Sequence, residues 1–195
     1  WLGALRLWRK LEERGQLSLR VWQSIPADLV ESAAAVGLRS GLGSPMLRVG
    51  YLKVFMDGTL GSQTAWMLDD SGVRITSGDE LAEIVRAGAE AGWPVGVHAI
   101  GDRANREALD AFERTRPLWE PAGLRQRIEH AQCLAPEGVA RFARIGVAAS
   151  IQFTHAPSDE ELARRFWRDR RVVADSFRSL VGGGRLVAEA VVVPV

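Results

Sequence analysis

Residues 95–102 read Val-Gly-Val-His-Ala-Ile-Gly-Asp. A short apolar run rich in valine, following Pro94 and closing on Gly101, reads as a buried strand over Val95–Ile100. Asp102 is placed to cap a helix carrying Ala104, Ala108, Leu109 and Phe112 on one face. Upstream, Ser77 and Glu80 form a capping-box pattern ahead of Leu81, Ile84 and Val85, and Gly92 ends that helix before Pro94. Helix, strand and helix joined by short links are the unit of a parallel α/β sheet.

The same rhythm extends both ways. Leu2, Leu5 and Trp8 share a helical face that ends near Gly15, and a strand is expected at about Leu17–Gln23. A helix from about Ala27 to Leu38 and a Gly/Pro loop over Gly41–Pro45 lead to a strand at Leu47–Met56. Further strands are expected at about Gln126–Gln132, Val147–Phe153 and Arg185–Val195. Between them lie a helix from Pro136 to Gly146 and helical sequence to Leu180, with a second capping-box pattern at Ser158 and Glu161. From Leu47 onward the strand starts recur at very roughly 30 residues, near the spacing of an eight-fold barrel of about 250 residues. Six units do not close such a barrel, so the alternatives are a barrel with two units missing upstream or an open doubly wound sheet. No strand is followed by G-x-G-x-x-G, which weighs against a dinucleotide-binding open sheet.

Bulk properties narrow the function. The 195 residues suit one domain with a substantial core, and 47% hydrophobic with 25% charged residues is ordinary globular balance. A net charge of +1 argues against a general nucleic-acid binder. No run of about 18 apolar residues suggests a membrane span, and no signal peptide is apparent. The one cysteine, Cys133, excludes an intrachain disulfide and points to a reducing, cytoplasmic setting. Trp1 at the start and a strand-like run at Val191–Val195 read as a piece of a longer chain, truncated at both ends.

Ionisable residues interrupt the apolar strands where barrel enzymes place their chemistry, at the C-terminal ends. By two-residue alternation Lys53, Phe55 and Asp57 share one face. A Lys facing a barrel interior needs a partner or a function, because burying an ammonium is costly; a pair with Asp57 is as good a reading as a functional one. His98 shares a face with Gly96 and Ile100. His130 is expected on the face of Ile128 and Gln132, with Glu129 pointing the other way toward an Arg or a neighbouring His. His155 follows the next strand. Singly, each histidine is explained as a hydrogen-bonded core or loop residue. All three histidines of the chain, however, fall at or near the ends of successive strands, and imidazole is a common ligand for zinc and similar ions.

The motifs around these residues carry a resemblance. Lys53-Val54-Phe55-Met56-Asp57-Gly58-Thr59-Leu60-Gly61-Ser62, with Thr64-Ala65-Trp66, resembles the fourth-strand signature of the amidohydrolase superfamily. Within it, the similarity is to the YtcJ-like branch, amidohydrolase family 3, which includes N-substituted formamide deformylases. Residues 97–105, 127–132 and 150–159 are similar to its fifth-, sixth- and seventh-strand motifs. The resemblance implies a partial TIM (β/α)8 barrel of the metal-dependent hydrolase type, about strands 3 to 8, lacking strands 1 and 2 and the small β-sandwich domain. It implies Lys53 as a carboxylated bridging ligand, with His98 and His130 as ligands of a divalent metal, zinc first, with one or two ions in an intact parent. Metal-activated water would then hydrolyse an amide-type, non-peptide carbon–nitrogen bond of a small molecule. Asp57 and His155 are the implied substrate contacts.

Two departures bear on activity. The family's first-strand His-x-His pair has no counterpart here. Its eighth strand starts as expected with Arg185-Leu186-Val187, but Ala188-Glu189-Ala190-Val191 follows where the family has Gly-Ser-Asp, with no Asp in the expected place. The expectation is a chain that is weak or inactive by itself, with open sheet edges that invite aggregation or pairing with another copy, and low stability alone. The competing readings are a degenerate, non-catalytic barrel that binds or supports, and an unrelated α/β enzyme with structural histidines.

Overall fold

The computed structural model describes residues 3–167, 180 and 187–189. Helix α1 spans Ala4–Glu13 and strand β1 Val21–Pro26. A 3-10 turn at Ala27–Leu29 runs into α2, Val30–Ala35. Then come β2 (Leu47–Phe55), α3 (Gly78–Glu90), β3 (Val95–Ala99), α4 (Asp102–Trp119), β4 (Arg127–His130), α5 (Pro136–Ile145), β5 (Ala148–Ile151), α6 (His155–Phe166) and β6 (Val187–Glu189). The six strands form one sheet in the order β1-β2-β3-β4-β5-β6, every neighbouring pair parallel.

That order settles the choice between the two sheet types. A doubly wound sheet reverses its strand order at a switch point. Here each strand lies beside the next in sequence, and with right-handed crossovers this lays the connecting helices on one face, as in a barrel wall. The helix-facing side carries Leu52, Val54, Val95, Val97, Ala99, Ile128, Ala149 and Ile151, packed with Leu81, Val85, Leu109 and Phe112 in one core. Leu52, Trp93 and Phe112 are wholly buried, each contributing about 1.5–3 kcal/mol of hydrophobic stabilisation.

Local chemistry sets the element ends. The Ser77 side chain accepts from the Glu80 N–H while the Glu80 carboxylate accepts from the Ser77 N–H, the capping box expected for α3. Gly146, at φ 87°, closes α5 in the left-handed conformation that glycine adopts without penalty. Three expectations shift. The first strand starts at Val21 rather than near Leu17, because its pairing runs from Val21 opposite Leu47. Asp102 does not cap α4; its carboxylate instead accepts the Leu68 N–H at 2.8 Å. Helix α6 begins at His155, so Ser158 lies inside it and bonds the His155 carbonyl. Pro157 fits there because a first helical turn needs no N–H from it. The sequence expected as helix over 168–179, the glycine break Gly182–Gly184 and the strand beyond Glu189 lie outside the described residues. Among the described residues no helix is long and apolar enough to cross a membrane.

One close approach fixes the strand-end loops. A Cβ on Gly101 would sit 2.0 Å from the Trp66 carbonyl oxygen and 2.5 Å from its carbon. Both are backbone atoms and cannot swing aside. Gly101→Ala is therefore expected to cost at least about 1–3 kcal/mol, lowering the melting temperature by about 2–4 °C for each kcal/mol in a chain of this size. Thermal unfolding followed by circular dichroism checks this, and an unchanged melting curve contradicts it.

Candidate functional site

In parallel strands, register partners face the same way. Lys53 pairs with Gly96, Gly96 with Arg127, Phe55 with His98, and His98 with Glu129. These residues therefore share the face opposite the helices. His130 pairs with Ala99, whose side chain lies in the helix-side core. Alternation would send the imidazole there too. The chain avoids this by leaving strand conformation: His130 has φ 73° and Ala131 φ 46°. Left-handed backbone at a non-glycine residue costs about 1–3 kcal/mol, and such strain concentrates at functional sites. The result departs from the simple alternation read from sequence: the His130 ring parts from Ile128 and lies beside His98.

The rings form a row along the strand ends. Phe55 and His98 have centroids 5.3 Å apart, His98 and His130 4.7 Å, and His130 and His155 5.4 Å. All three histidines are thus brought together. The Lys53 Nζ lies 4.8 Å from the Phe55 ring centroid.

Each of the two inner imidazoles has one nitrogen held. His98 Nε2 donates to the Gly58 carbonyl at 2.8 Å, which leaves Nδ1 with its lone pair. His130 Nδ1 donates to Gln152 Oε1 at 2.5 Å, leaving Nε2 bare. Gln152 was not singled out in the sequence, although a buried polar residue between Ile151 and Phe153 is the same kind of signal as the histidines themselves. The Gly58 carbonyl carries no side-chain signal.

Asp57 is not on the rim where a substrate contact was expected. It is 1% exposed. Its carboxylate accepts backbone N–H groups from Trp66 at 2.9 Å, Ile100 at 3.0 Å and Gly101 at 2.7 Å. Burial raises its pKa to about 6, against the pull of those three bonds. Lys53 is not ion-paired to it among the described residues; the charges acting on Lys53 are Glu129, attractive, and Arg127, repulsive. Glu129 itself is paired with Arg127, with Nε to Oε1 at 2.5 Å. Tyr51 lies against the same guanidinium, 4.9 Å from its ring centroid.

Electrostatics favour uncharged donors. Burial lowers Lys53 to about 8. Burial, helped by the neighbouring His98, lowers His130 to about 4. Burial also lowers His98, opposed by its bond to Gly58. At pH 7 roughly one Lys53 in ten is then a free amine, against about one in three thousand for an ordinary lysine. Among the described residues, no group of three His, Cys, Asp or Glu is gathered to hold a metal. Lysine stands outside that count. What is present, two neutral imidazoles each with one nitrogen clamped by an oxygen acceptor, is the outer support that metal-binding histidines use, so the residues fit two nitrogen donors of a metal centre.

Fold and site define a partial β/α barrel with its polar centre at the C-terminal strand ends, where barrel enzymes keep their active sites. The sequence profile of the amidohydrolase family matches residues 2–188, and the chain belongs to that family. It is 34% identical over 155 residues to the protein YtcJ of Bacillus subtilis (strain 168), covering 75% of this chain and 29% of that one. It is also 34% identical over 154 residues to the Protein LONG AFTER FAR-RED 3 of Arabidopsis thaliana, covering 74% and 26%. An uncharacterized metal-dependent hydrolase from Pyrococcus furiosus has a similar structure, with a TM-score of 0.80 at 28% identity over 98% of this chain and 41% of that one. The chain therefore spans less than a third of the length of these two curated relatives.

Proposed function

We propose that this chain carries part of the active site of a metal-dependent hydrolase that cleaves amide-type, non-peptide carbon–nitrogen bonds of small molecules. The observation that carries this reading is the convergence of His98 and His130, each imidazole clamped at one nitrogen, with the Lys53 charge acting on both. Family membership supports the hydrolase class, and the solved relative named as a metal-dependent hydrolase supports the metal.

His98 and His130 would hold the ion through imidazole nitrogens, a donor set that suits zinc. When bound, the ion supplies Lewis acidity toward water and the scissile carbonyl. The free amine of Lys53 is a nucleophile toward carbon dioxide. Its nitrogen forms a bond to the carbon, one C–O π pair moves to oxygen, and the amine proton leaves to solvent. The carbamate so formed exchanges a cation for an anionic oxygen ligand. His155 would contact substrate, a role supported by its ring stacking on His130 at the start of α6. The buried position of Asp57 supports a holding role for it rather than substrate contact.

A binding or structural role is favoured by one observation: among the described residues no group of three His, Cys, Asp or Glu is arranged to hold a metal ion. The two readings part in one experiment. The chain is incubated with zinc and bicarbonate and assayed for amine release from a panel of N-acyl amines, with 13C spectroscopy of labelled bicarbonate run in parallel. A carbamate signal lost in Lys53→Arg, together with zinc-dependent amine release, is the expected result. Zinc bound without amine release leaves the binding module, and no zinc bound overturns the metal centre.

A further inference from the structure

The support of His98 runs through a buried carboxylate whose acceptor positions are spent on the main chain. Asp57 lies two residues past the end of β2, where Phe55 is in register with His98, and Gly58 is the next residue. One carboxylate oxygen takes the Ile100 N–H and the other takes both the Gly101 and Trp66 N–H groups. Three separate segments are thereby tied to one side chain: the end of β2, the loop through Trp66, and the turn from β3 into α4. The same turn is held by the Gly101 approach to the Trp66 backbone. Gly58 is fixed from both sides, since its own N–H donates to the Thr64 carbonyl at 3.1 Å and a Cβ there would meet the Thr64 side chain at 1.8 Å. Its carbonyl then faces His98 Nε2 at 2.8 Å, with Asp57 Oδ1 standing 3.7 Å from the same nitrogen.

We propose that Asp57 is the positioning residue for His98: by gathering the Trp66, Ile100 and Gly101 amides it fixes the Gly58 carbonyl, which holds the His98 proton on Nε2 and leaves Nδ1 free to bind. The role rests on the metal-centre reading for its purpose, but its physical content concerns the metal-free chain. A carbonyl can only accept, so His98 is locked as the Nε2–H tautomer. An outer carboxylate or carbonyl that fixes a histidine's tautomer and orientation is a common support for a metal ligand, and its loss lowers metal affinity about 10–100-fold. Asn in place of Asp keeps the shape but turns one acceptor oxygen into an NH2 group facing backbone donors.

The test uses 15N-labelled histidine in the metal-free chain, with the imidazole nitrogens read by NMR, and zinc titration of the same samples. In the wild-type chain His98 is expected to show one protonated nitrogen, Nε2. In Asp57→Asn the expected result is a mixture of tautomers at His98, with His155 unchanged and zinc affinity down about 10–100-fold. A variant that melts like the wild type and keeps a pure Nε2–H tautomer overturns the proposal. Should the variant fail to fold, the wild-type spectrum decides: Nδ1–H at His98 overturns it and Nε2–H upholds it. A wild-type chain with the expected tautomer but no zinc binding overturns the metal-centre reading instead, so the two failures are distinguishable.

Discussion

His130→Ala and His98→Ala are each expected to weaken zinc binding by at least about a hundredfold, equivalent to about 2.7 kcal/mol. That exceeds the lower range for losing an outer partner because a donor atom itself is removed. His155→Ala is expected to change affinity by less than about tenfold (about 1.4 kcal/mol), since His155 contacts His130 by ring stacking at the far end of the row. Isothermal titration of the three variants, with melting curves as folding controls, checks the ordering. Equal losses at all three positions would remove the distinction between ligands and neighbour. Wild-type affinity in His130→Ala would place any zinc site elsewhere.

Asp57→Ala is expected to be among the more destabilising single substitutions in the described structure. It orphans three buried N–H groups, each costing about 1–3 kcal/mol when left unsatisfied. Against this, the variant escapes the burial that raises the carboxyl from 3.8 to about 6, a relief of about 3 kcal/mol. The donors outweigh it, and a net loss of about 3 kcal/mol is expected, or about 6–12 °C in melting temperature for a chain of this size. Urea unfolding with an unchanged slope measures it. A loss below about 1 kcal/mol would mean that water replaces the carboxylate fully.

The residue pattern reached some levels of this structure and not others. Strands β2 to β5 and helices α3 to α5 were legible because local chemistry and tertiary packing agree there. The Ser77/Glu80 box, Pro136, Gly146 and the apolar run at Val95 all act within a few residues of where they are read. The start of β1 was misplaced because Leu17 and Leu19 also fit strand alternation, while the true start is set by pairing with Leu47 some way along the chain. Helix α6 starts early because a helix can open on His155 without a side-chain cap, which the Ser158/Glu161 pattern obscured.

At the site, Lys53, His98, His130 and His155 were found by residue type and strand position, and the structure brings the three histidines together. How His130 reaches the others was not legible. It depends on left-handed backbone at two non-glycine residues, which no residue preference announces. The Gly58 carbonyl and the three amides on Asp57 were invisible for a related reason: main-chain donors and acceptors are the same at every position. For Asp57, a side chain offered to substrate and one turned inward on the backbone look alike in sequence.

His98 and His130 are proposed as metal ligands, with Lys53 beside them as carbamate. Zinc K-edge X-ray absorption on the chain loaded with one equivalent of zinc in bicarbonate buffer tests it most directly. The expected spectrum is a shell of nitrogen and oxygen only, at about 2.0–2.1 Å, with outer scattering from two imidazoles that falls to one in His130→Ala. A sulfur scatterer at about 2.3 Å, imidazole scattering unchanged in that variant, or no retained zinc would contradict it.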